Sequence, residues 1–316
     1  MELKEWQNRA LELRLQGLSS RAIAEQLLGR ETAKSTVSDF FKRYDSLNEV
    51  VEKANKPVTI FFDLESSLML GYFFKLWDEN ISFRRVKKQS HLLSAAWAFD
   101  DGEVQGCRLT PEQVRDSDDL TIVVNMIESL NKADHMVTFN GKRFDVKLLN
   151  TRAIQWGLPP IKPIKHTDLF EQAKKVFKFP SNSMQNISMY LGEEGKLQTG
   201  GSDLWERCAE WDNYQQCNNA LEEMLTYNKQ DIEATRDLYK RFQGWMKGVP
   251  NHGTMSNELS GNQTLRCTHC GSDNVFMIDG LSFTSANSFN LYRCGEDSCR
   301  GVSRITKNGK NLVGVV

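Results

Sequence analysis

The spacing of apolar positions changes several times along the chain, and each change predicts an element. Leu3, Trp6, Ala10 and Leu13 recur at helical intervals, which predicts a helix over residues 3–15. Gly17 breaks it. Ser19 or Ser20 then caps a second helix with Ile23, Ala24 and Leu27 on one face, and Gly29 ends it. A third helix opens at Ser35 and turns Val37, Phe40 and Phe41 inward, while the charged stretch 45–56 lacks an apolar run and reads as a linker. After Pro57 the period shortens. Val58–Phe62 is β-branched and aromatic and predicts a buried strand. Leu92–Phe99 and Glu103–Leu109, joined by Asp100, Asp101 and Gly102, predict a hairpin that completes a three-stranded meander. Leu120, Val123, Val124, Ile127 and Leu130 predict a helix over 119–130. Met136–Phe139 is a short strand, Asn140-Gly141 a turn, and Phe144–Leu149 the start of a helix; residues 225–239 are helical again. Pro250–Gln263, rich in Asn, Gly and Ser, reads as a second linker, and beyond it lie two short strands, Val275–Ile278 and Phe289–Tyr292.

At 316 residues the default is one large core with small appendages. A net charge of −1 confines any nucleic-acid contact to local patches. The chain opens on the charged segment Met1–Trp6, and no apolar run approaches the ~18 residues of a membrane span. The expectation is therefore a cytoplasmic protein with no membrane contact. Of seven cysteines, Cys107, Cys208 and Cys217 are scattered and read as reduced packing residues; the other four cluster near the C-terminus.

Candidate chemistry begins at the end of the first strand. Asp63 and Glu65 are two apart, so in a strand they project from one face, where two carboxylates repel unless a cation lies between them. Oxygen donors of this kind suit Mg²⁺ or Mn²⁺ rather than zinc. The competing reading is a solvated loop after a core strand. Asp145 stands near the start of a helix, where the dipole favours a carboxylate at the mouth of the sheet. Tyr227 and Asp231 are four apart on a later helix and share a face.

Phe62-Asp63-Leu64-Glu65, Asn140-Gly141-x-x-Phe144-Asp145 and Tyr227-Asn228-Lys229-Gln230-Asp231 together resemble the three exonuclease motifs of the ribonuclease-H-like DEDD superfamily. More narrowly, residues 57–245 are similar to predicted exonucleases related to the proofreading domain of family B DNA polymerases. The resemblance also takes in Lys165–Leu169, Phe179–Asn182 and Lys196–Trp205. It implies an α/β fold, a mixed sheet with helices on both faces. It further implies that Asp63, Glu65, Asp145 and Asp231 hold two divalent ions, Mg²⁺ or Mn²⁺, and that Tyr227 orients the attacking water. Thr226 stands where the histidine subclass would place its histidine, so the tyrosine subclass is implied. The implied activity is 3′-to-5′ hydrolysis of phosphodiester bonds in DNA, releasing nucleoside monophosphates. Asn140 and Phe144 are candidate contacts to the terminal nucleotide, with Phe144 equally readable as core.

The three N-terminal helices resemble a helix-turn-helix, although Arg30–Lys34 makes a long turn. Lys34, Ser35, Thr36, Ser38 and Lys42 are its outward polar candidates for DNA. A small bundle that only packs on a neighbour or binds protein is the plainer reading. Arg84, Arg85, Lys87 and Lys88 could meet phosphates, but such a run more often is a solvated edge. Cys267, Cys270, Cys294 and Cys299, in two pairs with a strand-rich stretch between, predict a Cys₄ zinc ribbon with one structural Zn²⁺, because ~50 residues hold too small a core without one. Three domains are expected: a helix-turn-helix at 1–48, a ribonuclease-H-like domain at 57–248 and a zinc ribbon at 262–316. Nucleic acid, DNA ahead of RNA, is the expected partner, with a polymerase or another replication or repair protein beside it. An exoribonuclease and a non-catalytic DNA-binding factor on a nuclease-like core are the alternatives.

Overall fold

The computed structural model describes residues 4–30, 33–54, 56–192, 203–261 and 263–315, with side chains at 46–54 outside the description. The chain divides into two units, Met1–Lys56 and Pro57–Val316. In the first, α1 (Glu5–Leu15), α2 (Ser20–Leu28) and α3 (Lys34–Ala54) bury Ala10, Leu13, Ile23, Ala24, Val37, Phe40 and Phe41 together. Ser19 is the residue that caps α2, its hydroxyl accepting from the Ala22 N–H at 3.3 Å. α3 already begins at Lys34, so Ser35 lies within the helix. Of the expected long turn, Glu31 and Thr32 lie outside the described residues. Asp45–Ala54 continues α3 where a linker was expected.

The second unit is built on a five-stranded mixed sheet. Its strands are β1 (Thr59–Ser66), β4 (Leu92–Phe99), β5 (Gln105–Arg108), β6 (His135–Thr138) and β7 (Lys165–Asp168), in the order β5-β4-β1-β6-β7. β1, β4 and β5 form the expected antiparallel meander, and β6 and β7 add to it in parallel. Between β1 and β4 the chain makes a small separate hairpin, β2 (Leu70–Gly71) with β3 (Val86–Lys88). Helices α4 (Pro111–Asp116), α5 (Leu120–Lys132), α6 (Asp145–Gln155), α7 (Leu169–Val176), α8 (Met184–Tyr190), α9 (Asp203–Ala209) and α10 (Tyr214–Phe242) complete the core. Alternation along the strands feeds two apolar layers. Ile60, Phe62, Ala95 and Trp97 pack with Val123, Met126 and Leu130 of α5, while Phe61, Ala96, Ala98 and Val137 pack with Ile232, Leu238 and Phe242 of α10. A buried ion pair fixes α5, α6 and β4 together. Arg152 binds Asp119 through two donors at 2.6 and 2.8 Å, and Asp119 also accepts from Trp156 Nε1 and the Leu92 N–H.

The ribbon follows as β8 (Val275–Phe283), β9 (Ser288–Cys294), β10 (Val302–Ile305) and β11 (Leu312–Gly314), an antiparallel sheet ordered β11-β10-β9-β8. The stretch expected as a second linker instead carries α11 (His252–Ser260), with His252, Ser256 and Asn257 buried. Its polar side chains are satisfied locally: Asn257 donates to the Thr264 carbonyl and Asn251 to the Leu312 carbonyl. His252 packs edge-on to His135 of β6 with ring centroids 5.0 Å apart, and its Nε2 is 3.3 Å from the Tyr239 hydroxyl of α10. The ribbon also meets the end of α10 directly. A Cβ on Gly244 would lie 1.9 Å from the Cys299 carbonyl oxygen, so only glycine admits this contact. Among the described residues no helix is long and apolar enough to cross a membrane.

All five histidines sit in environments that favour the neutral ring. Burial holds His135 down to about 2 and His166 and His252 to about 4, and lowers His91 and His269 from 6.5. The unfolded chain therefore binds more protons below pH 6.5, and stability falls as pH falls, by about 1.4 kcal/mol per pH unit for each fully neutral ring. Asp145, raised to about 6 by burial, acts in the opposite sense between that value and the ordinary carboxylate range. Urea unfolding at pH 8, 7, 6 and 5 should give a flat upper range and a steady loss below about 6.5, with a shallower slope in His135→Gln.

Candidate functional site

β1 runs on to Ser66, so Asp63 and Glu65 lie within the strand and the solvated-loop reading does not hold. They share a face with Phe61, the face covered by α10. That face is unusually flat. Asp63 pairs in register with Ala96 of β4, and Ala96 with Gly106 of β5. A Cβ on Gly106 would lie 2.8 Å from Leu225 Cδ1 and 3.1 Å from Lys229 Cε. Small residues in this row let α10 approach the sheet closely enough for its carboxylate to reach β1. One oxygen each from Asp63, Glu65 and Asp231 lie within 4.8 Å of one another. Asp231 is buried and the two strand carboxylates are half-buried.

Asn228, three residues before Asp231 and fully buried, donates from Nδ2 to Asp63 Oδ2 at 3.1 Å. It orients the carboxylate on which the cluster is centred. The sequence motif contained it without marking it; the signal was a buried-face amide in mid-helix, where an amide needs a partner. Tyr227 is half-buried and packs edge-on against Trp205 with centroids 6.2 Å apart.

Asp145 is brought to the same end of the sheet by a tightly tied turn. Thr138 Oγ1 accepts from the Gly141 N–H at 3.1 Å and is 2.8 Å from His166 Nε2. Asn140 takes a left-handed conformation, φ 68°. Asp168, which caps α7, also accepts from the Asn140 and Lys142 N–H groups at 2.9 and 3.0 Å. α6 then begins at Asp145. Its Oδ1 accepts from the Leu64 N–H of β1 at 3.0 Å, so it is anchored to the strand between Asp63 and Glu65 and stands outside the three-carboxylate group. Burial pushes its pKa up to about 6, opposed by that hydrogen bond. Phe144 is exposed, which removes the core reading; Asn140 is half-buried.

The donor set suits a hard divalent ion: three carboxylates, oxygen only, one buried and two half-buried. The four cysteines form a second group. Cys267 and Cys299 sulfurs are 3.7 Å apart and Cys270 and Cys294 3.5 Å apart. A tetrahedron with Zn–S of ~2.3 Å has edges of about 3.8 Å, so the spacing fits zinc. Hydrogen bonds from Cys270 and Cys299 hold the Cys267 thiol well below its ordinary range. The first pair stands in a loop ahead of β8; the second joins β9 to β10. Lys34, Ser35, Thr36 and Lys42 are exposed on α3 and Ser38 is half-buried. The basic run 84–88 is engaged locally: Arg85 pairs with Glu79, and Lys88 donates to the Val114 carbonyl at 2.6 Å and lies over the Trp211 ring.

Comparison with known proteins adds a family. The RNase_H superfamily matches residues 86–243, half of the chain. No curated protein matches. A solved family B DNA polymerase from the hyperthermophilic archaeon Pyrobaculum calidifontis superposes with a TM-score of 0.44 and 13% identity, over 65% of this chain and 27% of the polymerase. The chain thus spans well under two thirds of that structure's length.

Two outcomes follow from this geometry. Asp168→Ala removes an acceptor shared by the turn and α7 and should cost about 3 kcal/mol in urea unfolding, with α7 and the 140–145 turn losing amide protection first. Metal analysis should find one zinc per chain, absent in Cys299→Ser, whose ribbon should become protease-sensitive while the acidic site still binds Mn²⁺.

Proposed function

The chain belongs to the RNase_H superfamily, and from that premise we propose that it is a metal-dependent 3′-to-5′ exonuclease acting on DNA. The observation that carries the reading is the convergence of Asp63, Glu65 and Asp231 within 4.8 Å, on elements far apart in sequence, with Asp145 hydrogen-bonded to the strand between the first two. Carboxylates so placed repel one another, and a cation is the ordinary reason for a fold to hold them together.

Asp63, Glu65 and Asp231 would hold the divalent ions, with Asp145 joining them. Bound there, such ions lower the pKa of a water and offset charge on the leaving 3′ oxygen. The chain's own groups do the positioning. Asn228 fixes the Asp63 carboxylate. The Tyr227 hydroxyl, one turn from Asp231, orients the attacking water by hydrogen bond. Phe144, exposed at the head of α6, offers a ring face to the terminal base, and Asn140 its amide. The exposed Lys34, Ser35, Thr36 and Lys42 of α3 support a separate contact with DNA, and the zinc serves structure.

The test is digestion of 5′-labelled DNA and RNA, single-stranded and duplex, with Mg²⁺ or Mn²⁺. Wild type should give a ladder shortening from the 3′ end and faster on DNA. Asp63→Ala and Asp231→Ala should lose at least about 10³-fold, and Tyr227→Phe about 10–10²-fold with strand affinity retained. Folded wild-type protein that leaves every polymer intact with either metal would sink the proposal in favour of a binding factor.

A further inference from the structure

β1 and β4 remain paired as far as Ser66 and Leu92, one residue beyond Glu65 in register, and there the β2–β3 arm leaves the sheet. Its base is fastened. The Ser67 N–H donates to the His91 carbonyl at 2.8 Å, Ser67 Oγ lies 2.9 Å from His91 Nδ1, and Ser90 Oγ donates to the Ser67 carbonyl. Beyond the base, Leu70 and Gly71 pair with Lys88 and Val86, and the Tyr72 N–H donates to the Arg85 carbonyl. Glu79 orders the tip by accepting from the Phe74 and Lys75 N–H groups and pairing with Arg85.

This well-tied arm presents its apolar side chains to water. Phe74 is 92% exposed, Trp77 80% and Phe83 78%, with Tyr72 and Phe73 more than half exposed. No other stretch among the described residues gathers so many exposed rings. A patch of that kind marks a contact site. Its charge narrows the occupant. Residues 66–88 hold five basic side chains against two acidic ones in a chain of net charge −1. Arg85 lies over the Phe74 ring and Lys87 over the Tyr72 ring, at 5.1 and 4.8 Å from the centroids. Protein interfaces enrich arginine beside aromatic rings but deplete lysine, and three of these five cations are Lys75, Lys87 and Lys88; π-faces interleaved with such cations suit bases and phosphates together.

We propose that the arm, residues 68–88, is a stacking surface for unpaired bases of a nucleic-acid strand whose 3′ end lies at the acidic cluster. The inference rests on the nuclease reading and adds to it a preference for unpaired strand that is set outside the carboxylate site. The rings take successive bases, and Lys75, Arg84 and Lys87 take the phosphates between them.

The experiment measures binding without cutting. Full-length Asp63→Ala protein is titrated with three fluorescent DNA probes: a 20-nucleotide thymidine strand, a strand of equal length without bases, and a blunt duplex. The arm predicts tight binding of the thymidine strand and weak binding of the other two. Phe74→Ala and Trp77→Ala should each weaken the thymidine strand by about tenfold and leave the base-free strand unchanged; Trp77→Phe should restore most of the loss. Both side chains are exposed, so the variants keep the wild-type melting temperature. Equal affinity of variants and parent for the thymidine strand overturns the arm and leaves the exonuclease reading standing. So does a loss of self-association or of anionic-vesicle binding with strand affinity unaltered. Failure of the parent to bind any probe also overturns the arm, and digestion by wild-type protein then decides the exonuclease reading separately.

Discussion

Three carboxylates within 4.8 Å are an electrostatic liability, and much of the second unit serves to impose it. The strand supplies two of the acids because residues two apart share a face. The third needs a helix pressed closely onto that face, which bulky side chains on β4 and β5 would prevent. Ala96, Ala98 and Gly106 are the residues that permit it. Each is unremarkable alone, and together they set the distance between two layers. The buried Asp119–Arg152 pair and the Asp168 cap then hold the opposite layer and the β6–α6 turn, so that Asp145 arrives at the same end of the sheet.

The acidic residues were legible as a set, from the resemblance that three motifs carry together; alone, the Asp-x-Glu after a β-branched run and the helical interval between Tyr227 and Asp231 each leave a plainer reading open. The four cysteines were legible from spacing alone. Both linkers were misread for a physical reason. Composition reports exposure only on average, and α11 is polar yet buried, its Asn and Ser side chains satisfied by neighbouring carbonyls. In 45–54 the charge density hid Leu47, Val50, Val51 and Ala54, which recur at helical intervals. Asn228 was quoted in a motif but not singled out, since its partner lies 165 residues away. The arm has apolar density without period, and only the structure shows that, among the described residues of its unit, nothing covers the rings.

The comparison with known proteins and the geometry speak to different levels. The family match covers residues 86–243, which takes in β4 to β7 and the helices from α4 to α10 but leaves out β1 with its two carboxylates. It says nothing of residues 68–85 of the arm, the ribbon or the three helices of the first unit. Each carries exposed or metal-suited chemistry of its own.

The contact between Gly244 and the Cys299 carbonyl carries a lesson about modularity. A small sheet with a four-cysteine group is commonly pictured as a portable bead on a string, separable by cutting a linker. Here one carbonyl of the cysteine knuckle occupies the space that a methyl group would take at the end of α10, and α11 fills the seam beside it. The ribbon thus packs directly against the turn that ends the helix carrying Asp231 at its middle. Transplanting or deleting it would leave that helix with an unfinished end, and any fusion or truncation boundary belongs upstream, before Pro57.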